Sequence, residues 1–174
     1  MIFLAERFFS INFIMTSPER LAIQRRSEEV AKAVYEQYLA LGNCYGMFYN
    51  PVRARLAEKL VSLSPPRIKR VFFCNSGTEA IEAAIKLSRR YSREIVKKDR
   101  FEIIKMLGSF HGRTYGAVSA TAQEKFHQGF EPVVPGFRYV PFNDVKAVEQ
   151  AVNDRTCAVL VEPVQGEGGV NVPA

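Results

Sequence analysis

Val71-Phe72-Phe73-Cys74-Asn75-Ser76-Gly77-Thr78-Glu79-Ala80 passes from an apolar run through a polar turn into a helical pattern. The four apolar residues have the length of a buried strand, and the small polar residues after them read as a turn. Beyond the turn, Ile81, Ala84, Ile85 and Leu87 share one face of a helix over 80–91, with Glu82 and Lys86 placed to pair at i,i+4. The alternation recurs downstream. Residues 101–107 and 157–161 read as buried strands, 139–142 as an edge strand and 144–152 as a short helix. Strands alternating with helices predict an α/β fold with an open, mostly parallel sheet and flanking helices.

Upstream the pattern is helical. Val30, Ala33, Val34, Tyr38 and Leu41 recur at spacings of three and four over 27–41, and Gly42 ends the run. A second helix is expected over 51–63. Asn50 can cap it, Pro51 suits its first turn, and Leu56, Leu60 and Leu63 form a stripe. Ser64-Pro65-Pro66 then breaks it. The segment Met1–Met15 is apolar but interrupted by Glu6 and Arg7. It lacks the basic start and the cleavage site of a secretory signal. Residues 1–44 therefore read as a helical N-terminal segment with an atypical start.

Composition bounds the function. With 174 residues and 47% of them apolar, the chain can bury a sizeable core. No stretch is long and apolar enough for a membrane span. Three cysteines, Cys44, Cys74 and Cys157, form no CxxC pair, and two histidines leave little for a metal. The net charge of +6 permits anionic ligands without singling out nucleic acid. The densest basic run spans Lys86, Arg89, Arg90, Arg93, Lys97, Lys98, Arg100 and Lys105. No zinc-finger, RNP or helix-turn-helix pattern accompanies it, so it reads as a solvated helix end and the loop after it.

In open α/β sheets, ligands bind beyond the carboxyl ends of the strands. Three such ends carry unusual residues. Ser76, Gly77 and Thr78 open a helix, either as a phosphate cradle or as a cap for that helix alone. Ser109-Phe110-His111-Gly112-Arg113-Thr114 follows a strand. Phe110 could stack on a planar ring and Arg113 could grip a carboxylate, or both could serve packing and a surface ion pair. Glu162-Pro163-Val164-Gln165-Gly166-Glu167-Gly168-Gly169 sets two acids in a glycine-rich loop. The patterns of a P-loop and of a GxSxG nucleophile elbow are both missing.

Taken in order, these segments resemble the class III aminotransferases of fold type I, which depend on pyridoxal phosphate. The likeness is greatest to the acetylornithine/ornithine branch. Pro135-Gly136-Phe137, Phe48-Tyr49-Asn50-Pro51 and Leu56-Ala57-Glu58-Lys59-Leu60 fit as well, so the likeness runs from about residue 45 to 174. It implies that 45–174 is the N-terminal half of the cofactor-binding large domain. It assigns Ser76, Gly77 and Thr78 to the cofactor phosphate, Phe110 to the pyridine ring and Glu162 to the cofactor's side. It assigns Arg113 to a substrate carboxylate and Glu167 to the family's gate acid. It implies transamination of an ω-amino donor such as N-acetylornithine with 2-oxoglutarate. Ornithine, succinylornithine and 4-aminobutyrate are the alternative donors. A homodimer is implied. Cysteine usage and the missing signal point to the cytoplasm, and neither nucleic acid nor a membrane is expected as partner. The family's Schiff-base lysine and the aspartate on the pyridine nitrogen lie in segments that nothing in 1–174 resembles. The chain thus reads as a fragment without catalytic residues of its own and inactive alone, or as a non-catalytic cofactor-binding or scaffold fragment. Residues 1–27 do not resemble the family.

Overall fold

A computed structural model describes residues 2–3 and 27–174. The chain forms two compact units, parted between Pro65 and Pro66. One holds residues 66–174 together with Ile2–Phe3; the described part of the other is 27–65. What was expected of the remaining N-terminal residues lies outside the described residues.

The larger unit is built on four strands: β1 (Ile2–Phe3), β2 (Glu102–Met106), β3 (Phe137–Val140) and β4 (Thr156–Leu160). Their order is β1-β4-β2-β3. β2 runs parallel to both neighbours, pairing Ile103 with Phe137 and Ile104 with Val159, while β1 runs antiparallel along β4. Every residue of β2 is buried. The period-two alternation sends Ile103 to one side and Ile104 to the other. Ile103 packs with Ile81, Ala84 and Ile85 of α3 (Gly77–Tyr91), with Ala117 and Ala120 of α4 (Tyr115–Ala120), and with Cys157. Ile104 packs with Met106, Val140 and Ala151, the last from α5 (Val145–Ala151). Helices cover both faces, so the strands read as apolar runs.

Three expectations need correction. Residues 71–74 do not join the sheet. Phe72 is 71% exposed and Phe73 39% exposed. A short apolar run becomes a strand only where a ladder partner is available, and β1 and β3 hold the sheet's two edges. The edge strand begins two residues earlier than its apolar pattern suggests, because Ile103 N donates to Gly136 O at 2.8 Å and draws Phe137 into register. Glu82 does not pair with Lys86. It accepts from Thr114 Oγ1 at 2.6 Å and from Ala117 N at 3.1 Å, and so holds the start of α4. That helix is absent from the sequence reading. Its residues Ala117, Val118, Ser119 and Ala120 are small and buried, so no amphipathic stripe announces it.

The smaller unit contains α1 (Glu28–Leu41) and α2 (Pro51–Leu63). Ser27 Oγ accepts from Val30 N at 3.2 Å, and Asn50 Oδ1 accepts from Val52 N at 2.9 Å and Arg53 N at 3.1 Å. Neither helix buries a residue. Among the described residues no helix is long and apolar enough to cross a membrane.

Candidate functional site

The amino end of α3 and the carboxyl ends of β2 and β4 converge through side-chain hydrogen bonds. α3 opens with a capping box. Ser76 Oγ accepts from Glu79 N at 3.2 Å; the Glu79 carboxylate accepts from Asn75 N at 2.5 Å and Ser76 N at 3.2 Å. The Asn75 N–H holds the Glu79 carboxyl below its usual range. Asn75, Ser76 and Glu79 thereby have their N–H groups satisfied. Gly77 N and Thr78 N meet no acceptor among the described residues. They sit at the positive end of the helix dipole, where an anion is favoured. The cap and the cradle therefore coexist: Ser76 serves its own helix and leaves two donors over.

The turn after β2 lies against this helix end. Thr78 Oγ1 donates to His111 O at 3.2 Å. Gly112 makes the approach possible: its φ is +115°, and a Cβ there would fall 1.4 Å from Thr78 Oγ1. Half-buried Phe110 donates its N–H to Glu162 Oε2 at 3.1 Å, which ties the turn to the end of β4. Burial raises the Glu162 carboxyl above its usual range, against the opposing pull of the Phe110 N–H and Lys105. The Phe110 ring meets Phe126 edge-on, with centroids 5.3 Å apart. Exposed Arg113 lies 4.7 Å over Phe126 and 5.7 Å over Phe110. No acid among the described residues pairs with it. Lys125 Nζ lies 4.9 Å from the Phe126 ring.

A polar layer underlies the turn. Lys105 has no exposed surface, and its Nζ touches His111 Nε2 and lies 3.3 Å from Leu160 O. Burial drives the amine well below its ordinary pKa, with Glu162 pulling it back. Burial first, and then Lys105, press the His111 imidazole down to about 2. On the β4 side the glycine-bearing loop is fixed by Gln165. Its Nε2 donates to Leu107 O at 2.8 Å, and its Oε1 accepts from Asn171 Nδ2 at 3.2 Å. Glu167 is exposed on this loop and makes no hydrogen bond among the described residues.

Ser76, Gly77, Thr78, Phe110 and Glu162 are thus joined in one constellation; Arg113 reaches it through Phe110, and Glu167 stands apart on the loop. Such a site can take an anion at the helix end, a planar ring against Phe110 and a carboxylate at Arg113. Sequence reasoning missed Lys105, Phe126 and Gln165. The lysine had one signal: it is a cation set inside the apolar strand Ile103-Ile104-Lys105-Met106. Three arginines of the basic run have partners of their own. Arg89 donates to Phe101 O and Pro135 O, Arg90 pairs with Glu94, and Arg93 pairs with Asp99.

The chain is similar to known proteins. The family model for class III aminotransferases matches residues 21–174. An acetylornithine aminotransferase of Methanopyrus kandleri is 49% identical over 144 residues, covering 83% of this chain and 36% of the relative. The namesake from Methanocaldococcus jannaschii is 45% identical over the same shares. The crystal structure of ornithine aminotransferase from Toxoplasma gondii superposes with a TM-score of 0.78 at 32% identity, over 85% of this chain and 35% of that one. The chain spans little more than a third of the relatives it matches. By the extent of the family match, the chain belongs to the class III aminotransferases.

Proposed function

We propose that this chain forms the phosphate-binding, ring-stacking and carboxylate-binding part of a transaminase dependent on pyridoxal 5'-phosphate. Its donor is an ω-amino compound such as N-acetylornithine, and its acceptor is 2-oxoglutarate. The observation that carries the reading is the pair of unused N–H groups at Gly77 and Thr78 beside Phe110 and Glu162. When bound, pyridoxal phosphate supplies an electron-accepting ring and a carbonyl through which amino groups move. The chain's residues bind and orient. Gly77 N and Thr78 N take the phosphate, with the Ser76 hydroxyl beside them. Phe110 covers one face of the ring, and Glu162 presents a carboxyl at the ring's side that burial makes a better proton holder. Arg113 takes the α-carboxylate of the donor, steadied on Phe126. Glu167 is the gate acid.

Relatives named acetylornithine aminotransferase are 45–49% identical, against 32% for the ornithine aminotransferase, which favours N-acetylornithine over ornithine. Succinylornithine and 4-aminobutyrate are the remaining alternatives. Residues 1–174 hold no counterpart of the family's Schiff-base lysine, so this stretch alone binds cofactor and turns over no substrate. The exposed apolar faces of α1 and α2 support a homodimer in the whole protein, and three free cysteines support the cytoplasm.

Gly77→Pro tests the reading. Gly77 is the first residue of α3, where proline is tolerated, and Ser76 before it is extended as that requires. The substitution deletes one of the two free donors and keeps the helix. Titration of the 174-residue chain with pyridoxal phosphate is expected to saturate, to be competed by inorganic phosphate, and to weaken by roughly tenfold to a hundredfold in Gly77→Pro, since a bond to a charged group contributes about 1.5–3 kcal/mol. Unchanged affinity, or binding indifferent to phosphate, would overturn it.

A further inference from the structure

We propose that Lys105 is a positioning residue of this site: its buried amine, set between His111 Nε2 and Leu160 O, fixes the imidazole and with it the turn that presents Phe110. The inference rests on the functional reading above for the purpose of that turn, and on geometry for the rest.

His111 is held at three points. Its N–H donates to Thr121 Oγ1 at 2.9 Å, its carbonyl accepts from Thr78 Oγ1 at 3.2 Å, and its ring rests on Lys105. The first two fix the backbone of one residue. Among the described residues the third alone is a polar contact of the ring, and the ring fills the space under the turn, for His111 is 7% exposed. The amine is anchored in turn to Leu160 O at the end of β4. Lys105 thus ties β2, the turn after it and β4 together from below, while the bond from Phe110 N to Glu162 ties the turn to the residues after β4 from above.

The electrostatics fit an orienting role. A lysine without exposed surface loses the hydration of its charge, and that loss has to be offset by partners. Among the described residues, the carboxylate whose charge acts on it is Glu162, and the titratable side chain in contact with it is His111. An N–H of the amine pointed at Nε2 makes that nitrogen the acceptor, so the imidazole is neutral with its proton on Nδ1. An apolar side chain at 105 would fill the same space at less desolvation cost. It would leave the buried Nε2 without a donor and Glu162 without the pull of the amine.

The test uses the 174-residue chain with Lys105→Met, which keeps length and removes the donor, and Lys105→Gln, which restores a donor without charge. Lys105→Leu replaces the methionine variant if that one fails to fold. Nitrogen NMR of the His111 ring reads the tautomer directly. Inorganic phosphate and pyridoxal phosphate, titrated separately, separate the helix end from the ring site. In Lys105→Met the single Nδ1–H tautomer is expected to give way to a mixture. Pyridoxal phosphate affinity is expected to fall about fivefold, as for one lost hydrogen bond, with phosphate affinity unchanged. Lys105→Gln is expected to recover the tautomer and part of the affinity. An unaltered imidazole spectrum in Lys105→Met overturns the proposal, and so does an equal fall for both ligands, which would mark a general loosening of the fold. If the native chain binds neither ligand, the functional reading fails, and the imidazole spectrum alone decides the role of Lys105.

Discussion

α3 and α2 are nearly equal in length and both carry an apolar stripe, yet they have opposite fates. α3 buries Ile81, Ala84, Ile85 and Ser88 against the sheet. α2 buries nothing: Leu56 is 48% exposed and Leu63 is 69% exposed. α1 resembles α2, with Val34 and Tyr38 at 63% and 71%. Periodicity says which face of a helix is apolar; it does not say whether anything lies on it. The larger unit answers that question with β2, buried along its whole length and flanked on both faces. The smaller unit has no such element among its described residues. Helices of 13 or 14 residues owe most of their stability to packing, so these two depend on their ends and on whatever covers their stripes.

The sharpest way to break this contrast is a matched pair of truncations. Ile104→Ala removes a side chain with no exposed surface from the centre of the sheet and is expected to lower stability by about 2–5 kcal/mol. Tyr38→Ala is expected to change it by less than about 0.5 kcal/mol. Urea denaturation of both reads the difference. A loss in Tyr38→Ala that approaches that of Ile104→Ala would show that the α1 face is covered in solution.

Gly112 tests the contrast at the site itself. Gly112→Ala faces both the left-handed backbone and the overlap with Thr78 Oγ1. Strain of that kind costs about 1–3 kcal/mol, and the overlap adds to it. Stability is expected to fall by at least about 2 kcal/mol, with phosphate binding at the α3 end lost in parallel. Gly46→Ala in the smaller unit meets nothing within 4 Å and is the matched control, expected to leave both readouts unchanged. A Gly112→Ala chain as stable as the control would mean that the turn and the helix end are not in contact.

How far the sequence could be read follows the same division. Local signals were legible. Asn50 caps the helix that its side chain suits, the helices expected from 27 and 144 begin at Glu28 and Val145, and the buried strands β2 and β4 lie within or beside the stretches expected over 101–107 and 157–161. The site's upper layer was legible because glycine, hydroxyl, aromatic and guanidinium groups follow a strand end in a recognisable order. What stayed hidden depends on partners distant in sequence. Glu82 reads as half of a helical ion pair until Thr114 and Ala117 arrive 32 and 35 residues later. Residues 71–74 read as a strand until the sheet fills without them. Lys105 reads as one more surface cation, because only the fold brings His111 and Leu160 over its amine. Gln165 reads as a solvated loop residue for the same reason, its anchor on Leu107 O lying 58 residues away.

The smallest expected effect sharpens the comparison most finely, because it changes a cap and no packing. Asn50 caps α2 with two bonds, and Asp144 caps α5 with one from Ala147 N at 2.9 Å. Each truncation to alanine is expected to cost about 1 kcal/mol. The cost should surface in different places. α5 is tied to the core through Ala151, so Asp144→Ala should shift the global unfolding midpoint while α5 amides keep their protection until the core opens. α2 buries nothing, so Asn50→Ala should leave the global midpoint almost unchanged and speed hydrogen exchange throughout α2. Exchange rates unchanged in α2 alongside a falling global midpoint would reverse the argument. The stripe of Leu56, Leu60 and Leu63 would then be packed in solution, and α2 would unfold with whatever it is packed against.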